Sequence, residues 1–397
     1  MGGVLSAWRL SMPEIRVGPL TRGFLQPREV SAAEFLSGRP SLFDGAFTWP
    51  IMVVRQSALD HNVATLARFA AEHALAFAPH GKTSMSPQLF ERQLEAGAWG
   101  LTAATAAQVL TYRHFGVPRV VLANEILDEG ALRLLAQEIE AGFELLVYAD
   151  SVEGVRALSR SAGGVPFRVL VELGHEGGRT GCRTVEELAE VAAAVRDSEG
   201  VAFAGVAGYE GMLPDADAVR TYLRTLRSAA EALDAEVVSA GGSSWFDLVA
   251  EELSGMYAQV ILRSGSYVTH DDGLYLESTP YNRIPGELRP ALEVWAQVLS
   301  APEPGLAFAG MGKRDAPYDV HLPIPRALRR DGEIRPLAGV AVTKLMDQHA
   351  FLSGDGLRPG DLVEFGISHP CTAFDKWRVL PVVDDRHIVI DLISTFF

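Results

Sequence analysis

Between about residues 50 and 270 the chain alternates short β-rich runs with helical patterns, and this alternation constrains the fold more than any other feature. Eight runs read as strands: Leu75–Ala78, Trp99–Thr102, Val120–Ala123, Glu144–Tyr148, Phe167–Glu172, Ala202–Gly208, Glu236–Ser239 and Gln259–Arg263. Helical segments fall between them, and several open on a cap or an acidic first turn, as in Thr184-Val185-Glu186-Glu187. Strands separated by helices lie parallel, because each must be reached by a crossover. Eight such repeats predict an α/β fold closed into a (βα)8 barrel. Ile51–Arg55 is a ninth strand run, ahead of the long helix 59–73, and is placed outside the barrel.

After about residue 285 the texture changes. Prolines and glycines become frequent, and short alternating runs appear at Leu292–Leu299, Gly305–Ala309, Gly339–Lys344, Asp361–Gly366, Trp377–Val383 and His387–Ile393. They lack helical spacing and read as antiparallel β structure. The expected organisation is an N-terminal segment 1–50 that joins the β domain, a barrel over 51–284, and an all-β domain over 285–397.

The 397 residues are 48% hydrophobic and 21% charged, ordinary for a globular enzyme and too apolar for a disordered chain. A net charge of −15 makes nucleic acid and anionic membranes poor partners. Two cysteines, Cys182 and Cys371, give no disulfide framework, which fits a cytoplasmic location. Residues 1–13 show no signal-peptide pattern, and no apolar run is long enough to span a membrane. The expected partner is a small molecule.

In a barrel of this kind the reacting groups gather where the strands end. Lys82, in Ala78-Pro79-His80-Gly81-Lys82-Thr83, follows the first strand. A lysine amine carried into an apolar-walled cavity can lose its proton and form a Schiff base; the plainer reading is a surface lysine. After the seventh strand, Gly241-Gly242-Ser243-Ser244 reads as a phosphate cradle or as a simple tight turn. A lysine paired with a single-phosphate cradle is what pyridoxal phosphate requires. Arg179 and Arg263 are candidate partners for its ring nitrogen or phenolic oxygen, or else rim salt bridges. Further on, His369-Pro370-Cys371 reads as an extended segment whose i and i+2 side chains converge. A His nitrogen with a Cys sulfur suits Zn²⁺; the alternative is a buried Cys beside a packed His. Cys182 is read as structural.

Pro79-His80-Gly81-Lys82-Thr83 and Gln93-Leu94-Glu95-Ala96-Gly97-Ala98 resemble the start of the D-threonine aldolase and D-serine dehydratase family. The ending His369-Pro370-Cys371-Thr372-Ala373-Phe374-Asp375-Lys376-Trp377-Arg378 resembles that family's C-terminal β domain, nearest the D-serine deaminase branch. The resemblance implies an alanine racemase-like fold and pyridoxal 5'-phosphate held by Lys82 as an imine. It implies a cofactor site that takes in His80, Arg179, Tyr209, Gly241, Gly242, Ser243, Arg263 and Tyr267, and Zn²⁺ on His369 and Cys371. The activity implied is dehydration of D-amino acids bearing a β-hydroxyl, of the D-serine and D-threonine type, to a 2-oxo acid and ammonia. Its alternative is an aldolase using Mn²⁺ or Mg²⁺ and giving glycine and an aldehyde. The family also implies a homodimer, with the site shared between the barrel of one subunit and the β domain of the other.

Overall fold

The computed structural model describes residues 9–397; residues 1–8, the start of the expected N-terminal segment, lie outside the described residues. The chain divides into two compact units. Of the described residues, the first comprises 9–11, 66–82 and 90–265, and the second 12–65, 83–89 and 266–397.

The first unit is the parallel barrel. Its strands are β1 (Ala76–Phe77), β2 (Leu101–Ala103), β3 (Arg119–Glu125), β4 (Glu144–Ala149), β5 (Phe167–Leu173), β6 (Val201–Gly208), β7 (Val237–Ala240) and β8 (Gln259–Leu262). Neighbours pair in parallel from β2 round to β8, and β8 pairs with β1 through Ile261↔Ala76 and Leu262↔Phe77. A parallel bridge, His80↔Thr102, joins the last gap, and the Thr102 hydroxyl donates to Ala78 O at 2.6 Å. Inward positions are filled by Ala78, Val121, Leu146, Tyr148, Leu170, Ala204, Ala207, Val237 and Ile261, all buried. Such a mixture of small and branched side chains makes the barrel interior a packed core with its working surface at the strand ends.

Seven helices return the chain between strands. Asp128, Ser151, Thr184 and Asp215 each accept backbone N–H bonds in the first turn of the helix that follows. The register of β5 against β6 shifts between Val169 and Leu170, where Gly205 takes up the pairing on β6. Gly205 has φ +151, and a Cβ there would lie 1.9 Å from Val237 O, so only glycine lets β6 and β7 pair through Val237 at this point.

The second unit is antiparallel apart from one pair. Its long strand Leu292–Glu303 pairs with Leu362–Gly366, Leu306–Ala309 and the early strand Ile51–Arg55. Ile51–Arg55 also pairs in parallel with Val379–Val383, so this sheet is built from chain on both sides of the barrel. A buried charge cluster fixes that junction. Burial alone would push the Glu293 carboxyl up, but bonds with His387, Arg55 and the Trp295 indole hold it down to about 2.

Candidate functional site

Lys82 stands on a short 3₁₀ turn, Gly81–Thr83, right after β1. Gly81 is required by packing, because a Cβ would sit 2.7 Å from the Tyr112 hydroxyl and 2.9 Å from Phe90. Gly265 is required for the same reason, as a Cβ would fall 2.5 Å from that of His80. The loops after β1 and β8 are thereby pressed together, and three cations gather around His80. Burial, then the charges of Lys82, Arg263 and Arg179, drive the imidazole well below its ordinary value, so it stays neutral. Its Nδ1 is buried and makes no hydrogen bond among the described residues.

Arg263 is buried. It donates to Ser239 Oγ at 2.7 Å and Gly208 O at 2.8 Å, with its guanidinium 5.8 Å from the Tyr148 ring centre. Arg179 is exposed and lies 4.3 Å over the Tyr209 ring. Among the described residues neither arginine has a carboxylate partner, and a buried guanidinium met only by neutral acceptors calls for an anion.

The turn after β7 holds a surprise for the phosphate cradle. Gly241 adopts φ +102, and a Cβ there would lie 2.2 Å from a Leu262 methyl. Its N–H and that of Gly242 donate to the carboxylate of Glu210, at 3.1 and 2.6 Å. Glu210 is fully buried. The first two amides of the cradle therefore bind a resident carboxylate, and Ser264 Oγ ties down Gly242 O at 2.7 Å. Ser243 comes next, and the helix Phe246–Leu253 follows without a side-chain cap from Trp245. A lysine, a buried arginine met only by neutral acceptors and a second arginine without a carboxylate fit a phosphorylated aldehyde, so these residues suit pyridoxal phosphate.

Two further carboxyls sit at strand ends. Burial, then the nearby Glu172 and Asp150, push Glu125 up to about 8, so it is held protonated beside Glu172. Cys182 is buried with Sγ 3.3 Å from Asp150 O, and burial raises its thiol to about 12, in keeping with a structural cysteine.

In the second unit, Tyr267 is buried in the 3₁₀ turn Ser266–Val268. His369 and Cys371 meet, though not as expected. The predicted extended segment is overturned: His369 is left-handed, φ 68 and ψ 79, and Pro370–Thr372 forms a 3₁₀ turn. Proline disfavours a right-handed helix at its predecessor but leaves the left-handed region available, and the chain takes it. His369 and Cys371 hydrogen-bond through their side chains. Asp319 Oδ2 lies 2.5 Å from His369 Nδ1, and Thr372 Oγ1 donates to Asp319 Oδ1 at 3.0 Å. Thr83 Oγ1 is 3.5 Å from Cys371 Sγ. A carboxylate behind a histidine is how proteins orient an imidazole toward zinc, leaving Nε2 for the metal. The described residues contain no group of three or more His, Cys, Asp and Glu arranged for a metal, so water or substrate would complete the shell. Asp319 carries no signal in the sequence; Glu210 is placed at the end of the sixth strand by the sequence, but its pairing with the Gly241 and Gly242 amides is not.

A parallel eight-stranded barrel with a lysine after its first strand, joined to an antiparallel β unit, defines the class. The chain belongs to the family of the alanine racemase N-terminal domain, whose family model matches residues 54–268. A second family model, "Putative serine dehydratase domain", matches residues 291–383. The chain is 24% identical over 300 residues to a 3-hydroxy-D-aspartate aldolase from Paracoccus denitrificans, covering 72% of this chain and 77% of that one. It is similar in structure to D-threonine aldolase from Filomicrobium marinum, with TM-score 0.77 and 23% identity over 88% of this chain and 95% of the other. It is similar also to D-threo-3-hydroxyaspartate dehydratase from Delftia sp. HT23, with TM-score 0.72 and 20% identity over 88% and 97%. A dehydratase of that name has also been solved as a cysteine-to-alanine variant in the metal-free form. Among the described residues no helix is long and apolar enough to cross a membrane.

Proposed function

We propose that the protein is a pyridoxal phosphate-dependent lyase acting on D-amino acids with a β-hydroxyl, and that it works by dehydration with zinc. The observation that carries the reading is the pairing of His369 with Cys371, backed by Asp319. A nitrogen and sulfur pair selects zinc over harder ions, and a metal bound to it has positions left for a substrate oxygen. When bound, pyridoxal phosphate supplies a sink for the electrons left at Cα, and zinc supplies a Lewis acid for the β-oxygen.

The chain's own residues supply the rest. Lys82 would hold the cofactor, and its Nζ would take and return the substrate's α-proton. Arg263 and Arg179 balance the cofactor's negative charge. Neutral His80 packs beside them without adding a fourth cation. Asp319 holds the His369 ring through Nδ1 and fixes its tautomer, so that Nε2 is the nitrogen left for a metal.

The second reading is an aldolase, favoured by the name of the relative at 24% identity and by the aldolase among the similar structures. The products separate the two. Incubated with D-threonine, a dehydratase releases a 2-oxo acid and ammonia, and an aldolase releases glycine and acetaldehyde. A 2-oxo acid that forms with zinc and disappears on chelation supports the proposal. Glycine as the sole product replaces it with the aldolase.

A further inference from the structure

We propose that Asp271 is a positioning residue for the metal-binding pair: its carboxylate clamps the backbone of His369 in the left-handed conformation that brings His369 and Cys371 together. The inference rests on the metal reading above and adds a residue that no motif marks.

Asp271 is buried, with 1% of its surface exposed. Among the described residues it has no cationic partner, and four backbone N–H groups meet its charge instead. Oδ1 accepts from Gly273 at 3.0 Å, Tyr275 at 2.9 Å and Leu276 at 3.3 Å. Oδ2 accepts from His369 N at 2.7 Å. One carboxylate thus ties the 271–276 turn to the 368–372 turn. The same two turns are pressed together at Gly273, where a Cβ would fall 2.6 Å from that of Ser368. Ser368 Oγ in turn accepts from Leu274 N at 3.1 Å.

Left-handed backbone is resisted by a residue with a Cβ and persists only where the surroundings over-determine it. At His369 the Asp271 bond is the polar contact on the backbone N–H. Release of that bond frees the peptide to open toward the extended conformation preferred before proline. An opened peptide would part the imidazole from the thiol two residues on.

The decisive variant is Asp271→Asn. Its remaining oxygen still accepts from 273, 275 and 276, while its amide nitrogen sets a donor against the His369 N–H. Two readouts are taken on purified protein: zinc affinity by competition with a chromogenic chelator, and amide exchange of the peptide containing His369 in metal-free protein. The expected result is zinc binding weakened about 10- to 100-fold, the usual cost of losing an outer partner. Exchange at His369 quickens by about tenfold, with exchange across β7 unchanged. Asp271→Glu, which keeps an acceptor, is expected to recover part of both. Wild-type exchange and affinity in Asp271→Asn would overturn the proposal. If the wild-type protein itself bound no zinc, the metal reading would fall, and faster exchange in Asp271→Asn would still establish the backbone clamp.

Discussion

Lys82 is one of four lysines in the chain, and the other three, Lys313, Lys344 and Lys376, all lie in the second unit. Replacement with alanine is expected to lower turnover at least a hundredfold, measured as product release from D-serine. Retention of more than a hundredth would remove its proposed roles. Lys82 was legible because proline and glycine around it announce a strand end. The role of Glu210 was not, since its partners are amides 31 and 32 residues away, brought near only by the fold. Glu125 gives a second test. Folded, it stays protonated up to about pH 8, whereas in the unfolded chain a glutamate ionises near ~4.3. Between those values the unfolded state binds fewer protons, so this residue makes stability fall as pH rises and levels off above about 8. Glu125→Gln removes the effect. Its Tm should gain on wild type between pH 5 and 8, and a gain independent of pH would contradict the assignment.

At the scale of elements, the eight barrel strands were readable because each is a short apolar run bounded by turn residues, with a helix-length gap after it. In the β unit, Ile324–Arg330 and Glu333–Pro336 escaped the sequence reading. Proline and four arginines disguise them, yet Asp331-Gly332 between them is a two-residue hairpin turn with φ 52 and 87, a signal that was present. The His369 turn escaped for another reason: its conformation is imposed by contacts from residue 271, not by its own sequence. Gly205 carries the element-scale prediction. Gly205→Ala drives a methyl into Val237 O between β6 and β7 and is expected to cost about 3 kcal/mol or more. Urea denaturation checks it, and a loss under 1 kcal/mol would show that the strands part easily.

For the whole molecule, two kinds of sheet in one chain were legible from texture alone, because helical spacing stops near residue 285. Ile51–Arg55, placed outside the barrel by its sequence, joins the antiparallel sheet, where Arg55 meets Glu293 and His387, a cluster that texture does not reveal. The resemblance to the aldolase and dehydratase family adds a proposed homodimer. Sedimentation equilibrium should give twice the 42.8 kDa chain mass, and a monomer across micromolar concentrations would count against it. The barrel is proposed to hold pyridoxal phosphate on Lys82. The most direct test is to incubate the purified protein with the cofactor, reduce it with borohydride and map the labelled peptide by mass spectrometry. One phosphopyridoxyl group per chain is expected, on the peptide containing Lys82; no label, or label on Lys313, Lys344 or Lys376 alone, would contradict attachment to Lys82.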